Sequence, residues 1–213
     1  MIDPGALYAG ALAVYGEAEM ARAYGTLQGV SAARVDASAD GQTIHLGGRP
    51  LLLIDTPGHA RHHHCIWDQA TRGWFTGDTF GLSYREFDTA KGPWIVPTAT
   101  PVQFEPGVLE ASIRRMLAFD PQCMYLTHFG RVTDVERLGA LLLDLLAQLT
   151  AMAQAERASA GRHQVLRQRQ LELFGASLAA HGCTLDASAV AALLAMDIEL
   201  NAQGLAIWLD RAA

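Results

Sequence analysis

Three short segments of the sequence each present a residue type that binds metal ions. A TPGH segment ends in His59, a TGD segment ends in Asp78, and a THFG segment contains His128. Imidazole nitrogens and carboxylate oxygens are ligands that suit zinc. We therefore interpret these residues as candidates for a site that binds zinc or another divalent metal.

The elements around these residues are expected to bring them together. Residues 51–55, 73–76 and 123–127 are short apolar runs of the kind that form buried strands. The first two runs lead into His59 and Asp78 through a segment that contains glycine, and the third ends at His128 with Gly130 close behind. Three neighbouring strands of this kind would deliver His59, Asp78 and His128 to one edge of a sheet.

The same segments resemble a known family. The order and spacing of TPGHA with His62 and His63 just after it, then FTGD, then LTHFG, are similar to the later motifs of the metallo-β-lactamase superfamily. The closest resemblance is to its broad hydrolase branch, which includes the hydroxyacylglutathione hydrolases. The resemblance implies that His59 is the third histidine of a first metal site, that Asp78 bridges two metals, and that His128 belongs to the second site.

The earlier HxHxDH motif of that superfamily has no counterpart in this chain. We therefore interpret the chain as the carboxy-terminal half of the family's αβ/βα sandwich, an α/β fold, followed by a helical extension. We expect domains at 1–130 and 131–213. The second face of the sheet should be apolar and exposed, because its partner sheet is missing.

The mechanism that the resemblance implies is hydrolysis of an ester, thioester or lactone-type bond by two zinc-like ions that share a hydroxide. This chain supplies one histidine for each metal plus the bridging Asp78, whereas a catalytic zinc normally has three protein ligands. The isolated chain is therefore predicted to be an inactive or incomplete form. The alternatives are a non-catalytic binding or regulatory protein that retains the fold, and an oligomerisation module that acts through the carboxy-terminal helices.

The composition of the chain limits the kinds of molecule that the protein is expected to bind. The 213 residues are 50% hydrophobic and 18% charged, and the formal net charge is −6. Such a chain has no general attraction to nucleic acid or to anionic membranes, and we expect no apolar run of membrane-spanning length. Three separated cysteines and no secretory signal favour a reducing, cytoplasmic location. We expect a small-molecule substrate and a possible homo-oligomer.

Four further residues are candidates for substrate contacts or for supporting the metal ligands. A strand is predicted at 62–67, and its alternation places His62 and His63 on opposite faces. Only one of them can therefore face the metal, and surface exposure is the alternative for both. Tyr84 and Arg85 open an irregular, proline-rich loop at 80–103, which follows Asp78 directly. Such a loop is either a substrate-binding loop or an ordinary surface loop.

The remaining pattern is mostly helical. Helices are predicted at 3–25, 106–119, 162–180 and 186–209, and the apolar spacing from 135 to 152 predicts one more. Gly47-Gly48 predicts a hairpin turn. Beyond residue 130 only helices are expected. Asp197 and Asn201, four residues apart on the last helix, could form an inward polar pair, but we interpret them as a solvated face.

Overall fold

The computed structural model describes residues 2–99, 101 and 103–211, without the side chains of residues 13–15, 19 and 23. Residues 1–38 and 39–213 form two compact units. In the first unit, helix α1 spans Gly5–Ala23 and is interrupted at Gly16, whose φ of 78° and ψ of 163° lie outside the helical region. The predicted amino-terminal helix is thus confirmed, with a kink that glycine permits.

The second unit contains a six-stranded sheet whose strands lie in the order in which they occur in the chain. The strands are β1 (Thr43–Leu46), β2 (Arg49–Asp55), β3 (His64–Asp68), β4 (Gly73–Gly77), β5 (Cys123–Leu126) and β6 (Arg131–Val132). All neighbours are antiparallel except β4 and β5, which are parallel. The sheet is therefore mixed, and its first hairpin turns at Gly47 and Gly48, as predicted, where both glycines have positive φ.

Two expectations about strands were wrong. The strand predicted from His62 begins only at His64, because His63 N–H donates to the Ala60 carbonyl at 3.2 Å and closes a turn there. Strand β6 was not predicted, since its two residues are too short to give a periodic signal. It pairs with β5 just after His128, so the chain beyond residue 130 is not purely helical.

One face of the sheet carries the core. Trp67, Trp74 and Met124 share this face and are buried. Helix α2 (Pro106–Leu117) covers it, and the Trp74 indole N–H donates to the Met116 carbonyl of that helix at 3.1 Å. A single hydrophobic cluster continues from these residues into the helices beyond the sheet.

Four helices follow the sheet: α3 (Val135–Ala155), α4 (Arg162–His181), α5 (Ala187–Leu193) and α6 (Ala195–Arg211). The single helix predicted at 186–209 is wrong, because the chain bends by 63° between α5 and α6. Leu194 at the bend is fully buried, which indicates that packing and not a Gly or Pro sets the break.

Helix α3 is, by length and composition, apolar enough to cross a membrane, so the expectation that no run approaches membrane-spanning length was wrong. Its residues Leu138, Leu142 and Leu149 are buried in the hydrophobic cluster. A core helix of a soluble protein passes the same test of length and composition.

The opposite face of the sheet exposes apolar side chains. Ile44, Leu46 and Phe75 are 40%, 70% and 46% exposed. Phe75 stacks on Tyr125 of the neighbouring strand, with ring centroids 4.7 Å apart. This agrees with the expectation that one face of the sheet would be apolar and exposed.

Candidate metal centre

His59 lies in a turn that helix α2 holds tightly. Gly58, with a φ of 120°, approaches α2 so closely that a Cβ there would lie 2.2 Å from the backbone nitrogen of Leu109. The Ser112 hydroxyl donates to the Pro57 carbonyl at 2.7 Å, and the Glu105 N–H donates to the Gly58 carbonyl at 2.9 Å. Because only glycine fits this approach, the packing of Gly58 against α2 fixes the position of the turn that carries His59.

Asp78 lies directly after strand β4. Gly77 has a φ of 50°, and a Cβ there would lie 2.3 Å from the His63 ring. The space that glycine leaves is filled by His63, whose Nε2 accepts the Asp78 N–H at 3.2 Å. His63 thus holds the backbone of Asp78 in place through this hydrogen bond.

His128 follows strand β5 and precedes a tight reversal. Phe129 and Gly130 both have positive φ, 70° and 88°. The Leu126 N–H donates to the Gly130 carbonyl at 3.1 Å, which returns the chain to β6. This reversal leaves His128 at the same edge of the sheet as Asp78, because β4 and β5 are parallel.

The three predicted ligands meet at the Asp78 carboxylate. His59 Nε2 lies 3.6 Å from Asp78 Oδ2, and His128 Nε2 lies 3.6 Å from Asp78 Oδ1. Two ligand atoms on one tetrahedral zinc, each about 2.1 Å from the metal, lie about 3.4 Å apart. Each histidine therefore stands at a suitable distance to share one metal with one carboxylate oxygen.

The surroundings of these atoms also fit a cation. Asp78 Oδ1 is buried and has no hydrogen-bond partner among the described residues, a state that is costly for a carboxylate oxygen. Burial lowers the pKa of His59 to about 4, helped by the nearby His62 and His128. At neutral pH His59 is therefore the neutral imidazole that metals require.

The number of candidate ligands, in contrast, is too small to complete a metal site. Within the ranges that the structure describes, no three His, Cys, Asp or Glu side chains are grouped to hold one ion. His59 and His128 contact different oxygens of Asp78, so each ion would receive two protein side chains from this chain. The residues fit a bridging carboxylate with one histidine on each side, and they leave each metal short of the usual three ligands.

His63 contacts the candidate site through the backbone of Asp78. Burial lowers its pKa to about 4, with a further contribution from His59. Because its Nε2 accepts the Asp78 N–H, the proton lies on Nδ1, which is 3.0 Å from the Thr79 hydroxyl. His63 thus supports the Asp78 backbone, while His62 is exposed beside His59.

Tyr84 and Arg85 lie on the His128 side. The Tyr84 ring packs on Phe129, with centroids 4.2 Å apart, and its hydroxyl donates to Asp197 of α6. Arg85 donates to the Arg131 carbonyl at 2.7 Å. Tyr84 therefore borders the candidate site, and Arg85 binds the backbone just beyond it; their roles toward a substrate stay predictions.

One residue that contacts the site, Thr98, was missed in the sequence, and Asn201, which supports it, was misread. Thr98 Oγ1 lies 2.8 Å from His59 Nδ1, and Asn201 binds the segment that carries Thr98. The interpretation of Asn201 as part of a solvated face was wrong, since only 2% of it is exposed. Its four-residue spacing from Asp197 within an apolar helix was the available signal.

Among the comparisons with known proteins, one with models of protein families gives a match over more than half of the chain. The sequence model described as the metallo-beta-lactamase superfamily matches residues 4–128. A comparison with curated proteins gives no match.

Several solved structures share the fold. An archaeal metallo-beta-lactamase superfamily protein from Sulfolobus tokodaii is 23% identical with a TM-score of 0.58, and the match covers 94% of this chain and 62% of that one. A metallo-beta-lactamase family protein from Thermus thermophilus is 16% identical with a TM-score of 0.50, covering 82% and 48%. A beta-lactamase domain protein from Burkholderia ambifaria is 16% identical with a TM-score of 0.50, covering 96% and 55%. The chain thus spans about half to three fifths of the length of these proteins.

Proposed function

Because the chain belongs to the metallo-β-lactamase superfamily, we propose that it carries part of the metal centre of a hydrolase. The substrate class that we propose is a small molecule with an ester, thioester or lactone-type bond. The observation that carries the proposal is the Asp78 carboxylate with a histidine nitrogen 3.6 Å from each of its oxygens.

The residues take distinct roles in this proposal. Asp78 bridges two metal positions, His59 Nε2 serves the first position and His128 Nε2 serves the second. When bound, zinc lowers the pKa of water enough to supply hydroxide near neutral pH, and it polarises a carbonyl group. His63 holds the Asp78 backbone from behind, so that the carboxylate keeps its bridging orientation.

The same count of ligands limits what this chain does by itself. With two side chains per ion, we propose that the isolated chain holds at most one zinc ion, loosely, and does not hydrolyse thioesters, lactones or β-lactams at a meaningful rate. Hydrolysis would need further ligands from outside the residues described here. The chain is in this sense an incomplete form of the enzyme.

The surroundings of the site suit a small substrate. Tyr84 and Phe129 form an aromatic wall beside His128, and His62 lies exposed beside His59. The net charge of −6 gives no support for nucleic acid or an anionic membrane as a partner. We propose a cytoplasmic protein, in line with the three cysteines, none of which forms a disulfide.

The test measures zinc retained after dialysis and zinc affinity by calorimetry, for the wild type and two variants. Asp78→Ala removes the bridging carboxylate and should weaken zinc binding by more than about 10-fold, since even indirect partners of a metal are worth that much. Asp55→Ala is the matched control, because Asp55 is an exposed aspartate at the end of strand β2 of the same sheet. It should bind zinc like the wild type.

Two results would contradict the proposal. Zinc affinity that Asp78→Ala leaves unchanged would remove Asp78 from the site. Two tightly retained zinc ions per wild-type chain, together with turnover that Asp78→Ala abolishes, would show that the centre is complete without further ligands.

A further inference from the structure

We propose that helix α6, at the far end of the chain from His59, positions this candidate ligand and selects which of its ring nitrogens carries the proton. The connection runs from Asn201 on α6 through Thr98 to His59 Nδ1. The role of His59 as a metal ligand rests on the proposed function. The positioning of His59 by Thr98 and Asn201 rests only on contacts between described residues. Asn201 and Thr98 are positioning residues.

Asn201 holds the backbone on both sides of Thr98. Its side-chain oxygen accepts the Ala99 N–H at 2.6 Å, and its side-chain nitrogen donates to the Pro97 carbonyl at 3.1 Å. Asn201 is 2% exposed, and Pro97 and Ala99 are buried as well. A buried amide with both ends bonded costs free energy to disturb, so α6 fixes the place of Thr98.

Thr98 has a single hydroxyl proton and two polar neighbours. Its oxygen lies 3.2 Å from the Asp78 backbone carbonyl and 2.8 Å from His59 Nδ1. A carbonyl can only accept, and the Asp78 carbonyl, which also accepts the Gly81 N–H at 3.1 Å, lies within hydrogen-bond distance of Thr98, so we assign the Thr98 hydroxyl proton to that contact. The same oxygen then accepts from His59, which requires the proton to be on Nδ1.

The position of the other ring nitrogen agrees with this tautomer. If Nε2 carried the proton toward Asp78, the nitrogen and the carboxylate oxygen would form a hydrogen bond at about 2.8 Å. The distance between His59 Nε2 and Asp78 Oδ2 is 3.6 Å, which suits two ligands of one metal better than a donor and an acceptor. The Nδ1–H tautomer directs the lone pair of Nε2 toward the metal position.

Helix α6 also reaches the opposite side of the site. Asp197, one turn before Asn201, accepts the Tyr84 hydroxyl, and Tyr84 packs on Phe129 next to His128. Residues four apart on a helix lie on the same face, so a single face of α6 contacts the supports of both histidines. Helix α6 of the helical extension therefore helps to position both candidate histidine ligands.

The experiment reads the tautomer of His59 in the metal-free protein at neutral pH, by nitrogen-15 spectra of the histidine rings. The His59 signals are assigned by their loss in His59→Gln. We expect the wild type to show a protonated Nδ1 and an unprotonated Nε2. Thr98→Val, which keeps the shape and removes the hydroxyl, should convert His59 to a mixture or to the Nε2–H form, and Thr98→Ser should restore the wild-type pattern.

Asn201→Leu tests the role of the helix and should shift the tautomer in the same direction as Thr98→Val. Gln170→Leu is the matched control: Gln170 is a fully buried amide on α4 that donates to the Ile198 carbonyl of α6. It perturbs the packing of α6 without contact to residues 97–99, and should leave the tautomer unchanged. Zinc affinity should fall about 10- to 100-fold in Thr98→Val and Asn201→Leu, and not in the control.

A wild-type His59 that is mainly protonated on Nε2 would overturn the inference, as would Asn201→Leu that folds and keeps the Nδ1–H form. If Asn201→Leu does not fold, Thr98→Val decides the outcome, because an unchanged tautomer there has the same meaning. A wild-type protein with the expected tautomer pattern, but with a zinc affinity that Asp78→Ala leaves unchanged, would refute the proposed function and leave the positioning of His59 intact.

Discussion

Replacement of Gly77 by alanine should destabilise the protein through two separate physical effects. Gly77 has a φ of 50°, and the left-handed region costs an alanine about 1 kcal/mol. In addition, the new Cβ would lie 2.3 Å from the His63 ring, so the ring must move. Movement breaks the hydrogen bonds of His63 to the Asp78 N–H and to Thr79, which contribute about 1 kcal/mol each.

The expected loss in the free energy of unfolding is therefore about 3 kcal/mol for Gly77→Ala. Gly161→Ala is the matched control, since Gly161 has a φ of 64° and nothing within 4 Å of its added Cβ. It should lose only the conformational part, about 1 kcal/mol. For a chain of this size the midpoint of thermal unfolding should fall by about 6–12 °C and 2–4 °C respectively.

A double-mutant cycle separates the two effects, with unfolding by urea as the assay. In the His63→Ala background the clash is absent, so Gly77→Ala should cost only about 1 kcal/mol. The coupling free energy between the two positions should then be about 2 kcal/mol. A coupling near zero would refute the idea that Gly77 is required by the close approach of His63.

Two further predictions concern the sheet. Arg49 and Thr71 bind the buried Asp68 carboxylate and hold its pKa at about 2, so the stability that this group provides is present above about pH 4 and lost as the pH falls toward 2. Asp68→Asn should cost about 1 kcal/mol at neutral pH, a value reduced because Arg49 is half exposed, and urea titrations of variant and wild type should converge near pH 2. The exposed face with Leu46 and Phe75 should favour self-association, so the double replacement Leu46→Glu and Phe75→Glu should lower the mass seen by light scattering; a wild type that is monomeric at all concentrations would contradict this.

The parts of the fold that follow from local chemistry were predictable. The hairpin at Gly47 and Gly48, the strand that ends before Asp78 and the turn that presents His59 all depend on glycine or on short apolar runs, and the structure contains each of them. The convergence of the three candidate ligands was also foreseen, because β2, β4 and β5 run in the same direction and therefore end at one edge of the sheet.

Features that depend on contacts between distant residues were not predictable. Asn201 and Thr98 are more than one hundred positions apart in the chain, and nothing in the local sequence shows that a helix amide will bind this loop. The bend at Leu194 has the same origin, since the helical pattern runs through it without Gly or Pro and tertiary packing decides. The start of β3 was misplaced because the interaction of His63 with Asp78 is not visible in the pattern of apolar residues.

The one parallel pair of strands has a consequence for the order of folding. Strands β1 to β4 are joined by short connections and can pair through local contacts, whereas β5 pairs with β4 only after the long segment that contains α2 has closed. Closing a longer loop adds little to the free energy, about 0.6 kcal/mol for each doubling of length, but contacts that are distant in sequence form slowly. His59 lies in the connection between β2 and β3, and Asp78 directly follows β4, whereas His128 follows β5. We therefore expect His59 and Asp78 to come together during folding before His128 joins them.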